Sequence, residues 1–126
     1  MKITNYYANE IRKVLEDIGS REVEDAALAF KIAKNSYKIT MALSPAEKVR
    51  NDLLKKYGKK DKNGKLIADS AGNVNITDVK KYNQEYIALM NIENDIDIDL
   101  FKEEDFKKMK ATPNQMLKLM DVSELK

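Results

Sequence analysis

The sequence predicts a mainly helical α+β domain, with an N-terminal antiparallel helical hairpin followed by a small three-stranded antiparallel sheet and flanking helices. In residues 1–58 apolar side chains recur every three or four positions, which is the spacing of amphipathic helices. Residues 59–126 combine turn-forming dipeptides, short apolar runs and one alternating segment, which favour a hairpin, a helix, a strand and a C-terminal helix. The chain of 126 residues fits a single domain, 1–126, because a chain of this size buries roughly two thirds of its unfolded surface in one core.

The predicted hairpin joins a helix over Ile3 to Ile18, ended by Gly19-Ser20, to a second helix that reaches Met41. The first apolar stripe is Ile3, Tyr7, Ile11, Val14, Leu15 and Ile18. The second stripe is Val23, Ala26, Ala27, Phe30, Ala33, Tyr37 and Met41. Because only a short loop separates the helices, we expect the two stripes to face each other.

A further helix start is predicted at Ser44-Pro45-Ala46-Glu47. Serine is a good cap, proline suits the first helical position, and a glutamate three residues after the serine completes a capping box. This pattern predicts that the second helix is interrupted here. The third helix then ends at Gly58, where a left-handed conformation costs least.

The chain after Gly58 predicts the sheet. Asn63-Gly64 and Gly72-Asn73 are turn signals that bracket short apolar runs, so residues 61–78 predict a β-hairpin. Asp78 is a good cap for a helix that ends near Ile92.

Polar and apolar residues alternate strictly from Asp95 to Leu100, which predicts a third strand. On that strand the isoleucines and leucine share one face and the three aspartates the other. A third strand would stabilise the sheet, because an isolated two-stranded hairpin is marginal in water.

The C-terminal part predicts two short helices. The segment from Phe101 to Met109 favours a helical turn, and Thr112-Pro113-Asn114-Gln115 repeats the capping pattern. The last helix carries Met116, Leu117, Leu119 and Met120. These side chains either dock on the parent domain, which we favour, or form an adaptable face for a partner. The tail from Ser123 is expected to fray.

The composition argues against catalysis and against a cofactor. The chain contains no cysteine and no histidine, so it lacks a thiolate, cysteine zinc ligands and the usual general base near neutral pH. We expect neither enzymatic activity nor a bound metal. Nothing in the sequence resembles a signal peptide or an apolar stretch of about 20 residues, so we expect a soluble protein of the cytoplasm with no membrane partner.

Positive and negative charges nearly cancel over the chain, with 23 Lys and Arg against 21 Asp and Glu, so any electrostatic partner must recognise a local patch. The predicted partner-binding residues form the acidic patch Glu93, Asp95, Asp97, Asp99, Glu103, Glu104 and Asp105. Such a patch could imitate a phosphate backbone and occupy the basic groove of a nucleic-acid-handling enzyme. An ordinary solvated face is favoured over this mimicry. A Mg²⁺ or Ca²⁺ site at Asp95, Asp97 and Asp99 is the least favoured alternative, because same-face neighbours on a strand lie about 7 Å apart.

A basic patch is the second electrostatic feature. It consists of Lys55, Lys56, Lys59, Lys60, Lys62 and Lys65, with Tyr57 inside it. Lysines can contact phosphates, but a nucleic-acid binder would also profit from arginine forks, which the patch lacks. A solvated loop is therefore favoured over nucleic-acid binding.

Several segments spread over most of the chain carry a family resemblance. They are Phe30-Lys31-Ile32-Ala33-Lys34-Asn35, Lys56-Tyr57-Gly58, Asp61, Gly64-Lys65, Gly72-Asn73, Ile96-Asp97-Ile98 and Thr112-Pro113. In these segments the chain resembles a family of short proteins encoded by phages and prophages of Gram-positive bacteria and known only as a domain of unknown function. The resemblance implies a long unbroken second helix, from which the Ser44-Pro45 pattern departs, and it carries over no catalytic or ligand residue.

The phage setting implied by the resemblance leaves two roles open. One is binding of a host protein, including inhibition of a defence system such as CRISPR, and the other is a structural or assembly role in the virion. The missing catalytic groups and the segregated charges favour the first. The leading prediction is a non-enzymatic phage accessory protein of the host cytoplasm that acts by protein binding, and nucleic-acid binding is the weaker alternative.

Overall fold

The computed structural model describes residues 1–125 and is mainly helical, with a small antiparallel sheet. In chain order the elements are β1 (Lys2–Thr4), α1 (Asn5–Gly19), α2 (Ala26–Tyr57), α3 (Val79–Met90), β2 (Glu93–Asp95), α4 (Glu103–Met109) and α5 (Pro113–Lys118), followed by a 3₁₀ turn at Met120–Val122. The chain forms two compact units. The first unit comprises Met1–Leu43 together with the chain from Glu93 onward, and the second unit is Ser44–Ile92.

The sheet of the first unit pairs the start of the chain with the segment after α3. β1 and β2 run antiparallel, with Lys2 opposite Asp95 and Thr4 opposite Glu93. The strand Lys2–Thr4 was missed in the sequence because three residues are too few to show a period, and Ile3 was counted in the helix that follows. Thr4 ends the strand and caps α1, since its hydroxyl accepts the Tyr7 N–H at 3.1 Å.

The hydrophobic core of the first unit is contributed by α1, α2 and the C-terminal segment. The predicted stripe of α1 is confirmed where it is helical, because Ile11, Val14, Leu15 and Ile18 are all buried. The remaining core side chains are Ile3, Ala8, Leu28, Ile32, Ile39, Leu43, Ile96, Phe101, Phe106, Met109, Leu119 and Val122.

The buried face of α2 is not the predicted one. Its core side chains are Leu28, Ile32, Asn35, Ile39 and Leu43, which also recur every three or four residues. The predicted stripe lies outside instead: Phe30, Tyr37 and Met41 are 68%, 66% and 52% exposed. The predicted hairpin contact through Phe30 and Tyr37 is therefore wrong. The helix has two apolar faces, and helical spacing alone does not say which of them is buried.

The predicted helix start at Ser44 is also wrong, because α2 continues through Pro45 as one helix of 32 residues. An internal proline removes one backbone hydrogen bond and costs about 3 kcal/mol. Leu43 before the proline and Leu53 after it are both buried. Packing on both sides compensates for the lost hydrogen bond, so the capping pattern at Ser44 does not start a new helix. The unbroken helix is the feature that the family resemblance implied.

The second unit contains two copies of one tight turn. In each copy an aspartate carboxylate, Asp61 or Asp69, accepts the backbone N–H groups two and four residues later, at 2.8 to 3.0 Å. A glycine with positive φ follows three residues after each aspartate, Gly64 at 78° and Gly72 at 84°. The turn signals in the sequence are therefore confirmed.

The strands predicted around these turns are not formed as extended ladders. Within residues 58–76 the antiparallel pairing consists of the isolated bridges Lys60 with Leu66, Ala68 with Val74, and Gly58 with Ile76. No third strand joins them, since β2 pairs with β1 in the first unit. The three-stranded sheet is thus replaced, over the described residues, by a two-stranded sheet and a pair of stacked turns.

The predicted caps at the later helices are confirmed. The Asp78 carboxylate accepts the Lys81 N–H at 3.1 Å at the start of α3. Thr112 and Gln115 form the reciprocal capping box of α5, at 3.0 and 3.2 Å. The expected fraying of the tail is wrong for Ser123, which is fully buried. Its neighbour Glu124 donates its backbone N–H to the carbonyl of Phe101 at 2.9 Å. Lys126 lies outside the described residues.

Over residues 1–125, no helix combines the length and the apolar character that crossing a membrane requires.

Gly58 generates the first testable prediction. It is buried and its φ is not positive, so the expectation of a left-handed helix end at this residue is wrong. Its role is spatial, because a Cβ would clash with the Leu54 carbonyl oxygen and would lie 2.8 Å from Val74 Cγ1. We expect Gly58→Ala to lower the free energy of unfolding by about 1–3 kcal/mol, because the backbone must shift. Urea unfolding measures this.

Gly64→Ala is the informative comparison, because a Cβ there meets open space and the cost comes only from the positive φ. Equal stability of Gly58→Ala and the unchanged chain would refute the spatial role.

Candidate functional site

Six of the seven predicted partner-binding carboxylates lie on the surface of the first unit. They are Glu93, Asp95, Asp97, Asp99, Glu103 and Glu104, and we call them the acidic ridge. Glu93 and Asp95 lie in β2, Glu103 and Glu104 open α4, and Asp97 and Asp99 lie between these elements. The seventh residue, Asp105, is only 7% exposed and belongs to the interior.

The alternation between Asp95 and Leu100 is retained although the segment is a strand only at its start. Ile96 is 4% exposed and Ile98 is half-buried, whereas Asp97 and Asp99 point to solvent. The Ile96 N–H still donates to the Met1 carbonyl at 2.8 Å, and after Ile96 the backbone leaves the ladder. The predicted direction of the side chains is thus confirmed and the predicted strand is not.

Side chains of α2 replace the missing strand partner. Asn35 is fully buried and binds Asp99 twice: its amide nitrogen donates to the Asp99 carbonyl at 2.9 Å and its oxygen accepts the Asp99 N–H at 3.0 Å. Lys38 donates to the Asp97 carbonyl at 2.7 Å, and Lys31 donates to the Leu100 carbonyl at 3.1 Å. These three residues are spaced four and three apart, so they share one side of the helix. The backbone from Asp97 to Leu100 is therefore fixed to α2.

Asp105 anchors the end of this segment. One carboxylate oxygen accepts from the Lys31 ammonium at 2.9 Å and from the Lys102 backbone N–H at 2.8 Å. The side chains of Lys31 and Asp105 are 17% and 10% exposed, and the Lys31 ammonium lies 5.8 Å from the centre of the Phe101 ring. Burial raises the pKa of Asp105, but the Lys102 N–H and then Lys31 outweigh it, and the pKa falls below its usual value.

Two carboxylates of the ridge have partners of their own. Asp95 accepts from the Met1 ammonium at 2.9 Å, and this hydrogen bond is the main reason that the pKa of Asp95 is lowered. The Asp97 carboxylate lies 3.6 Å from the Lys38 ammonium but its side chain is 99% exposed. Water screens such exposed pairs, so both carboxylates keep most of their outward charge.

The ridge does not form a metal site in the part of the chain that the structure describes. No group of three or more acidic side chains converges there closely enough to hold a cation. Carboxylates spread along an extended segment instead present a row of separate negative charges. This arrangement suits a partner with several basic side chains.

The basic patch lies in the second unit, where its lysines are exposed. Sequence reasoning missed the aromatic cluster beside Tyr57. Tyr82 meets Tyr57 edge to face with ring centres 6.4 Å apart, and it stacks on Tyr86 at 5.9 Å. The Lys56 ammonium lies 5.1 Å from the Tyr57 ring and 3.5 Å from the Glu85 carboxylate. In the sequence, the four-residue spacing of Tyr82 and Tyr86 on the predicted helix was the feature that could have indicated this cluster.

The methionine-rich C-terminal helix packs on its own domain, which is the alternative that the sequence analysis favoured. Leu119 is fully buried and Met116 and Met120 are half-buried. The Tyr7 hydroxyl of α1 donates to the Lys118 carbonyl. Leu117, at 71% exposure, is the side chain of this group that remains outside.

The Lys31 and Asp105 pair generates the second prediction. Lys31→Met leaves the Asp105 charge nearly buried with only a backbone donor, so we expect a loss of about 3 kcal/mol in the free energy of unfolding. Lys13→Met is the matched control, because Lys13 is exposed and we expect a change within about 0.5 kcal/mol. Chemical denaturation of both variants makes the comparison, and equal stability would contradict the anchoring role.

The same pair predicts a pH dependence. Because the pKa of Asp105 is lowered in the folded chain, its contribution is complete above the unfolded pKa of about 3.9 and is lost as the pH falls through the folded value. The stability difference between the unchanged chain and Asp105→Asn should therefore shrink on acidification from about pH 5 to pH 2. A difference that stays constant over this range would contradict the assignment.

Comparison with known proteins adds no relative: no protein-family model, no curated protein and no solved structure matches the chain significantly.

Proposed function

We propose that this chain is a non-enzymatic phage accessory protein that binds another protein through the acidic ridge. The observation that carries the proposal is the fixed presentation of the six carboxylates. Their side chains point to water. Asn35, Lys38 and Lys31 hold the backbone of Asp97, Asp99 and Leu100 at the middle of the ridge, while β2 and α4 order its two ends.

Fixed geometry matters for affinity. A flexible acidic loop must be ordered when it binds, and fixing its backbone costs about 1–2 kcal/mol for each residue. Here the backbone is ordered in advance. The negative charges would also speed the encounter with a basic partner and exclude acidic ones.

The chemistry of the ridge suggests the class of partner. A row of carboxylates on an extended backbone resembles the spaced charges of a phosphate backbone, so it suits a basic groove that ordinarily holds nucleic acid. The phage resemblance of the sequence supports a host defence or nucleic-acid-handling enzyme, with anti-CRISPR inhibition as one form of this role. The host cytoplasm is then the site of action. The absence of histidine and cysteine from the sequence supports binding rather than catalysis.

The test removes the charge and keeps the shape. The variant Asp95→Asn, Asp97→Asn, Asp99→Asn should retain the fold, because each asparagine keeps the size of the side chain. We expect it to lose at least tenfold in affinity for the protein captured from host lysate. Calorimetry or surface plasmon resonance with that purified partner measures the change. Rising salt should weaken binding of the unchanged chain and affect the variant less.

The matched control is Glu22→Gln, Glu24→Gln, which removes two exposed carboxylates of the same unit that are not part of the ridge. We expect this variant to bind as the unchanged chain does. If the triple asparagine variant melts normally and binds with unchanged affinity, the ridge is not the contact.

Nucleic-acid binding by the second unit is a second candidate, favoured by the tyrosine cluster beside the lysines. Ten Lys and Arg stand against six Asp and Glu in Ser44–Ile92. Half-exposed Tyr57, Tyr82 and Tyr86 could stack bases while the lysines contact phosphates. Stacking on these tyrosines could supply part of the affinity that the patch loses by having no arginine.

This candidate predicts binding of single-stranded DNA at low salt that falls steeply as salt rises. Tyr82→Ala should lower the affinity about tenfold, because stacking of one base is worth about 1–3 kcal/mol. Fluorescence anisotropy with a labelled oligonucleotide measures it. Lys48→Ala, an exposed lysine outside the patch, is the control. No binding at low salt would reject the candidate.

A structural or assembly role in the virion is the alternative to this binding role. The methionine-rich helix was its expected subunit contact, but Leu119 lies in the core of its own chain. A role in assembly would need another contact surface.

A further inference from the structure

The outward face of α2 in the first unit is apolar over four turns. Ala26, Phe30, Ala33, Tyr37 and Met41 follow one another at spacings of four, three, four and four, and all five are exposed. We call them the outer stripe. An α-helix turns about 100° per residue, so the outer stripe lies nearly opposite the face that carries Leu28, Ile32 and Ile39 into the core.

An exposed row of this kind marks an interaction surface. Single exposed apolar residues are common and need no explanation. Here two aromatic rings and a methionine are more than half exposed on one side of one helix. A helix face that contacts only water would normally carry polar side chains, whereas these five positions carry Ala, Phe, Ala, Tyr and Met.

Four of the five positions of the outer stripe are spaced symmetrically, while Ala33 falls opposite Lys34 at the centre, and this symmetry suggests what covers the stripe. Ala26 and Met41 lie at the two ends, and Phe30 and Tyr37 lie four residues inside them. When the helix is reversed about a point between Ala33 and Lys34, Ala26 falls on Met41 and Phe30 falls on Tyr37. A second copy of the chain, placed antiparallel across a two-fold axis at that point, would therefore meet the stripe in register.

The contacts made in that register are favourable. Each Phe30 ring lies opposite a Tyr37 ring of the second copy, which gives two aromatic pairs. Each Met41 lies opposite an Ala26, so a long flexible side chain meets a small one. Ala33 lies near the axis, where the two helices approach most closely and a small residue is needed.

The area agrees with a weak closed dimer. A phenylalanine or tyrosine side chain buries about 150–250 Å² when fully covered, so the stripe offers on the order of 500 Å² in each copy. The total on the order of 1,000 Å² reaches the lower limit of specific interfaces. An open groove of about 430 Å³ borders the stripe at Ala33. Its lining combines apolar residues such as Leu15, Val23 and Ile32 with Glu16, Ser20, Arg21 and Ser36, so only part of it adds apolar surface beside the stripe.

We infer that the outer stripe is a homodimer interface, in which α2 pairs antiparallel with α2 of a second copy about a two-fold axis near Ala33. This interface is independent of the acidic ridge. The dimer would present two ridges and so bind a multivalent partner more tightly than one copy does.

The two-fold axis has one electrostatic consequence. It brings the exposed Lys34 of both copies close together, and their repulsion weakens as salt screens it. Dimerisation should therefore strengthen as the salt concentration rises.

Sedimentation equilibrium tests the inference with the full chain. We expect a monomer–dimer equilibrium with a dissociation constant on the order of 10 μM, because the interface is small. The variant Phe30→Ser, Tyr37→Ser should weaken dimerisation at least tenfold and keep its melting temperature, since both side chains are exposed. Leu117→Ser is the control, being 71% exposed elsewhere in the first unit, and it should dimerise normally.

Cysteine cross-linking tests the register, because the chain has no cysteine of its own. Ala33→Cys should give a disulfide-linked dimer on oxidation. Ala26→Cys should not, because the two copies of that residue lie about 22 Å apart along the helices, beyond disulfide reach. Ala26→Cys mixed with Met41→Cys should cross-link.

Three outcomes would overturn the inference. The first is a strict monomer at several hundred micromolar, which would leave the stripe to a different protein. The second is a dimer that the serine variant does not weaken. The third is growth into open multimers instead of a closed dimer.

Discussion

The structure of the first unit depends on the hydrogen bonds that α2 side chains make to the backbone of the segment after β2. That segment leaves the ladder after Ile96, whose N–H donates to the Met1 carbonyl at 2.8 Å, so the N–H and C=O groups beyond it need other partners. Asn35 satisfies both groups of Asp99 and is fully buried where it does so. Without it, the chain would lack a reason to stay extended against the helix, and the exposed carboxylates would lose their common direction.

Fixing this segment also positions the core side chains that follow it in the chain. Phe101 follows it directly and is fully buried, and its backbone N–H donates to the Val122 carbonyl at 3.0 Å. Asp105 then ties the start of α4 to Lys31 of α2. One face of one helix thus organises the interior and the charged surface together. The opposite face of the same helix, with Phe30 and Tyr37 exposed, is left for contacts outside the chain.

The helices were largely predictable from the sequence, and several of their contacts were not. The stripe of α1 and the caps at Asp78 and Thr112 depend on local spacing and local hydrogen bonds, which a sequence displays. The choice between the two apolar faces of α2 depends on residues far away in the chain, such as Asp99, which selects the face of Asn35. The same holds for Asp105, which looked like one more surface carboxylate and is buried by Lys31.

Amide hydrogen exchange at Asp99 tests the central claim most directly, because its N–H is bonded to the Asn35 side chain and not to a strand. The account predicts that this amide exchanges as slowly as amides of the core, and that Asn35→Ala accelerates it by at least a hundredfold while α1 stays protected. Exchange of the Asp99 amide in the unchanged chain at the rate of an unstructured peptide would contradict it.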